Sequence, residues 1–188
     1  MTIAQDMINW ARGRLGKQVG AGQCWDLVNS AAIAAGAHGS EHFGTIGPEI
    51  DYIWGDEVDL SSVQIGDLIQ TRDHKTTWTY DITITYADKT TGGDIDHAYL
   101  PRPHHSAIVT SLFDRDGALA TLEQNIDPKG EVVQVQKLYT RDVPAAIATK
   151  IAMVPDPKDA KNKVKATVMT ETTITVEGTI KVFRPVKR

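Results

Sequence analysis

The chain has 188 residues, 41% of them hydrophobic and 23% charged, the balance of one globular domain able to bury a real core. Its formal net charge of −4 gives no electrostatic case for binding nucleic acid or an anionic membrane surface. The lone cysteine excludes an internal disulfide and a cysteine-rich zinc site. No apolar run approaches the roughly 18 residues of a membrane span, so no membrane insertion is expected. Met1 to Asp6 has no basic region followed by an apolar run, so no secretory signal is expected there. The expectation is a cytoplasmic product, released by lysis or by a dedicated secretion route.

Residues 3 to 15 read as a helix, with Ile3, Met7, Trp10 and Ala11 on one face. Thr2 with Gln5 fits a capping box, and Gly16 fits the stop. Gly16, Gly20 and Gly22 punctuate a turn that leads into a second helix, from Cys24 to about Ala35. Its apolar stripe is Cys24, Leu27, Val28, Ala31 and Ala35. Glycines and Pro48 make 37 to 60 a loop, with one helical turn expected around Glu49 to Trp54.

Beyond this the period changes to two. Asp67 to Gln70 reads as a short strand, and Trp78, Tyr80, Ile82, Ile84 and Tyr86 alternate with polar residues along another. A loop is expected at Thr90 to Gly93. Strands follow at Ser106–Phe113, Ala118–Ile126 and Glu131–Tyr139, with a turn at Asp114–Gly117. Residues 155–163 read as a mobile polar connection, and Val164–Val176 and Gly178–Arg184 as strands. The lysines at 158, 161, 163 and 165 read as a solvated linker. Two helices followed by mainly antiparallel strands indicate an α+β class, with helices packed on one side of a sheet.

Cys24 stands where a glycine-rich turn becomes a helix, and unpaired N–H groups there favour a thiolate. It also lies on the core-facing stripe, where a free cysteine serves as a small hydrophobe. His105 opens a strand and can serve as a base. Glu123 and Asn125 follow on the next strand, and either could orient the imidazole. With a regular four-residue turn at Asp114–Gly117, both would face away from His105. A left-handed bulge at Gly117 slips the register by one and brings His105 opposite Asn125, with Glu123 on the same face.

Gly22-Gln23-Cys24-Trp25, Ile65-Gly66-Asp67-Leu68-Ile69, His105-Ser106-Ala107-Ile108-Val109 and Leu122-Glu123-Gln124-Asn125 resemble, in this order, the motifs of CHAP-domain amidases and endopeptidases. These belong to the NlpC/P60 group of papain-like hydrolases. The resemblance covers roughly residues 3 to 139. It implies a papain-like fold, read as a single domain of residues 1–188; the stretch at about 72–103 is longer than a compact CHAP domain needs and reads as an inserted hairpin. It implies Cys24 as nucleophile, His105 as general base, Glu123 as the residue orienting His105, and Asn125 as a second polar member. Gly66 and Asp67 match a structural turn. Gln18, six residues before Cys24, has the spacing of an oxyanion-hole glutamine in papain-like proteases. The implied substrate is peptidoglycan or a peptide, and the implied chemistry needs no metal or cofactor.

Two other functions compete. One is a papain-like protease, deamidase or acyltransferase acting on a protein or lipid. The other is a non-catalytic binding module, with the stripe Trp78 to Tyr86 as its contact surface. His104 with His105, or Asp94, Asp96 and His97, offer only sparse metal ligands. The glycines at 16, 20 and 22 lack the preceding strand of a dinucleotide fingerprint.

Overall fold

The computed structural model describes residues 2–47 and 50–188. Helix α1 is Ile3–Arg12 and α2 is Cys24–Ala34. Thr2 caps α1, its Oγ1 accepting the Gln5 N–H at 3.2 Å. The Gln5 side-chain amide donates to Asn9 Oδ1 at 2.9 Å. The helical turn expected at 49–54 lies partly outside the described residues, at Glu49, and Asp51–Trp54 forms no helix. The strands are β1 (Asp56–Val58), β2 (Leu68–Thr85), β3 (Thr91–Ser111), β4 (Ala118–Glu123), β5 (Gln134–Tyr139), β6 (Val143–Asp156) and β7 (Asp159–Arg184). Among the described residues, no helix is long and apolar enough to cross a membrane.

The expected α+β papain-like layout is overturned. Strand accounts for 54% of the described chain, against two short helices, so the fold is β-rich and mainly antiparallel. The physical reason lies in segments that carry little periodic signal. Pro144-Ala145-Ala146-Ile147-Ala148 has neither alternation nor many β-branched residues, yet β6 pairs with β7 from Val143↔Ile174 to Asp156↔Asp159. Gly178 does not break β7. At φ +85° it lets the strand pass close to β2, where an added Cβ would lie 2.3 Å from the Asp73 carbonyl oxygen.

The chain divides into two units. The first comprises Met1–Lys75, Leu100–Arg141 and Val176–Arg188. Its strand order is β1-β7-β2-β3-β4-β5. Neighbouring residues of one strand enter different core clusters, as a two-residue period requires. Leu68, Ile108, Leu122 and Phe183 pack with Met7, Leu27, Val28 and Ala31 of the helices. Ile69, Val109, Leu119 and Val182 instead join Val63, Ala107 and Leu138 in a second cluster. The Gly66–Asp67 turn is fixed by Asp67, which accepts from Gln64 N at 2.7 Å and from the Arg184 guanidinium at 3.1 and 2.9 Å.

The second unit comprises Thr76–Tyr99 and Asp142–Thr175. It holds most of the segment expected as an inserted hairpin. β2 turns into β3 at Ala87–Thr90, with Tyr86 N donating to Thr90 O at 3.0 Å, so the loop lies just ahead of the expected Thr90–Gly93. The polar stretch 155–163 is ordered rather than a loose connection. Pro157 and Lys158 form a tight turn, and the flanking residues pair as the ends of β6 and β7. Ile82, Ile84 and Tyr86 of the aromatic stripe pack on Val154, Ala166 and Val168.

Candidate active site

Asp26 shapes the start of α2. Its Oδ2 accepts the N–H groups of Ala21 and Gln23, each at 3.0 Å, folding the preceding turn back onto the helix. Gly20 has φ +57°, and an added Cβ there would meet the Asp26 carboxylate at 2.6 Å. Gln124, wholly buried, holds the same turn from just past the end of β4. Its Oε1 accepts from Val19 N at 2.8 Å, while its Nε2 donates to the carbonyls of Val19 at 2.9 Å and Gln23 at 2.8 Å. Cys24 is thereby set at the first position of a helix that is fastened on both sides.

His105 and Glu123 are brought together by a register slip, though not at the turn. Ser111↔Ala120 belongs to the register of a regular four-residue turn, while Val109↔Thr121 and Ile108↔Leu122 are offset by one. The extra residue is therefore Thr110, inside β3. Gly117 has φ +77°, yet the slip lies seven residues upstream of it. Continued toward His105, the offset register carries Glu123 to the same face.

His105 Nε2 lies 3.1 Å from Glu123 Oε2. Cys24 and His105 line one cavity, and each side chain perturbs the other's ionisation. The contact with Glu123 is an ion-pair approach, since Nε2 has no partner in regular hydrogen-bond geometry. All three residues are buried. Burial alone would raise the Cys24 thiol. The hydrogen bond and charge of His105, helped by the N–H groups of Ser106 and Trp25, hold it below its ordinary value. Burial would lower His105, but its bonds to Cys24 and Glu123 and their negative charges push it up to about 9. Burial would raise Glu123, but the charge of Arg102 and then His105 hold it well below the usual carboxylate range. At neutral pH His105 is charged and Glu123 ionised, and both shifts favour the ionised form of Cys24 relative to an ordinary thiol.

A cavity of about 580 Å³ opens beside the thiol, with Gln23, Trp25, Tyr52 and His104 among its walls. Trp25 is held by a 2.7 Å bond from its Nε1 to Ser40 Oγ. Asn125 also lines the cavity but does not turn to His105. Its φ of +61° departs from the strand, and its Nδ2 donates to Gln23 Oε1 at 3.0 Å. Gln18 is exposed and is not among the cavity walls. The residues weighed as metal ligands are engaged locally. His104 is bonded to the Ile50 carbonyl, and Asp94 and Asp96 each accept the next residue's N–H at 2.8 Å.

No family model, no curated protein and no solved structure matches the chain. The resemblance to CHAP-domain enzymes thus rests on the four short motifs, and the chemistry rests on the geometry.

Two functional positions escaped the sequence. Arg102 lies three residues before His105, an odd spacing that a regular pleat puts on opposite faces, yet both side chains reach Glu123. Gln23 was visible only as a neighbour of Cys24. Its role as a cavity wall depends on Asn125, 102 residues away. A buried Gln-rich strand end, Glu123-Gln124 with Gln134, is the one signal that could have flagged a polar support behind the site.

Proposed function

We propose that this chain is a cysteine hydrolase that cleaves an amide bond, with peptidoglycan as its substrate. The observation that carries the chemistry is the buried sequence of contacts from Cys24 through His105 to Glu123, ending at an open cavity. The choice of substrate is supported by the four motifs that resemble CHAP-domain amidases and endopeptidases.

The Cys24 thiolate attacks the amide carbonyl, forming a carbon–sulfur bond as the carbonyl electron pair moves to oxygen. The Gln23 carboxamide, with the N–H groups at the start of α2, supplies donors for that oxyanion. Collapse of the intermediate breaks the carbon–nitrogen bond, and His105 gives its proton to the leaving amine. A water molecule, losing a proton to the now neutral His105, attacks the thioester; the carbon–sulfur bond breaks, the acid is released, and the Cys24 thiolate and protonated His105 are restored. Glu123 fixes the imidazole orientation and tautomer throughout.

Digestion of purified sacculi, followed by mass spectrometry of the soluble fragments, tests this. The expected result is new amine and carboxylate ends at one type of bond, absent with Cys24→Ala. Intact sacculi together with cleavage of unrelated peptides would overturn the substrate. No cleavage of either, with Cys24 unreactive, would overturn the chemistry.

A further inference from the structure

Arg102 is 1% exposed. Its Nε donates to Glu123 Oε2 at 2.9 Å and its Nη2 to Oε1 at 3.1 Å, a planar fork closed on the carboxylate. Nη2 also reaches the Lys137 carbonyl at 3.1 Å, and Thr121 Oγ1 donates to Glu123 Oε1 at 2.5 Å. One carboxylate oxygen therefore takes Arg102 and Thr121, while the other takes Arg102 and lies 3.1 Å from His105 Nε2 as an ion-pair contact. The backbone is tied in the same place. Thr71 Oγ1 lies 2.9 Å from the Arg102 carbonyl and 3.3 Å from that of His105.

A buried ion pair is a poor source of stability, because desolvation of both ions offsets their attraction. This one is not even fully satisfied, since Arg102 Nη1 is buried without a partner. What the pair does supply is a carboxylate that stays ionised out of water and cannot rotate. Without Arg102 the carboxylate would keep one donor, Thr121 on Oε1, and nothing but His105 near Oε2, too little to fix its plane. The rigid guanidinium sets the carboxylate plane, and with it the direction of the oxygen that faces the imidazole.

We propose that Arg102 is a positioning residue of this site: through its fork on Glu123 it orients His105 and so sustains the Cys24 thiolate. The inference rests on the reading of Cys24 as the nucleophile. Loss of the fork loosens the imidazole whose charge holds the Cys24 thiol below its ordinary value.

The test is alkylation of Cys24 by iodoacetamide across pH, with thermal melts as the folding control, and it needs no substrate. In Arg102→Met, labelling at neutral pH should slow about tenfold and its onset should move to higher pH. Arg102→Lys, which keeps the charge without the fork, should label at an intermediate rate. A merely structural arginine would lower the melting temperature and leave the pH profile of the folded protein unchanged, and that result overturns the proposal. If Arg102→Met does not fold, Arg102→Lys decides: slower labelling supports the role and an unchanged profile refutes it. An ordinary thiol profile in the unsubstituted chain would overturn both this role and the nucleophile. A lowered profile indifferent to Arg102 would overturn this role alone.

Discussion

His105 Nε2 stands 3.1 Å from Glu123 Oε2, and both side chains are closed off from solvent. The contact gives the imidazole a buried anion on one side while Cys24 approaches from the other. At neutral pH a His105 raised to about 9 is charged, and Cys24 lies below its ordinary thiol value. Cys24 should therefore react faster with a neutral electrophile at neutral pH than an ordinary thiol does, with its profile displaced toward acid. In His105→Ala the burial persists without its partner, so the thiol moves upward. Labelling at neutral pH should fall by about a hundredfold. Rates measured across pH on both proteins check this, and equal profiles would remove His105 from the site.

Hydrolysis and labelling should part company in alkali. Alkylation needs only the thiolate and continues as pH rises. Amide cleavage also needs a proton on His105 for the leaving amine, so it should decline as pH passes about 9. Parallel profiles for the two reactions would show that His105 is not the acid.

Glu123→Gln keeps the shape of the site and removes its charge. Arg102 is then buried without a counter-ion, which should cost about 3–5 kcal/mol of stability. The alkaline limb of hydrolysis should move to lower pH, because His105 loses one of the two anions that raise it. The stability profile carries a matching sign. Glu123 is depressed in the folded chain from an ordinary 4.5, so its contribution is complete above that value and lost as pH falls toward the folded one. His105 is raised from 6.5 to about 9, so its contribution is complete below 6.5 and lost across that interval. Urea unfolding at several pH values should show the acid slope in the unsubstituted chain and a weaker one in Glu123→Gln.

The two helices and the place of Cys24 were legible because a 3.6-residue period and a glycine turn are local properties. The pairing of His105 with Glu123 was legible only as a condition on register. The condition was met by Thr110 in mid-strand rather than by Gly117, since threonine carries no mark of a bulge. Asn125 was placed on His105 by strand alternation, and one left-handed residue sent it to Gln23 instead. Gln18 had a suggestive spacing, but it is exposed and lies outside the cavity walls. β6 escaped because its alanines have no face, and its pairing with β7 is its whole reason for being a strand.

Asp67 offers a contrast with Glu123. It too meets an arginine bidentately, but Arg184 is 38% exposed at its side chain and can recover water if its partner is lost. Asp67→Ala should therefore cost less, about 1–2 kcal/mol, most of it from the abandoned Gln64 N–H. The pH profile of Cys24 labelling should not move. A shift in that profile would mean that the Gly66–Asp67 turn belongs to the chemistry and not just to the frame.

Asn125 separates the two halves of the reaction. Its Nδ2 holds Gln23 Oε1, which leaves the Gln23 amide nitrogen as the end presented to an oxyanion. Asn125→Gly accepts the +61° backbone without strain while deleting that hold, so the fold should be kept. Alkylation of Cys24 passes through no oxyanion and should proceed at the unsubstituted rate. Amide hydrolysis passes through two and should fall by about a hundredfold, with kcat affected more than KM. Asn125→Ala should show the same loss in hydrolysis together with lower stability, because alanine pays the left-handed strain that glycine avoids. Equal losses in alkylation and hydrolysis for Asn125→Gly would place Asn125 behind the thiolate instead of behind the oxyanion.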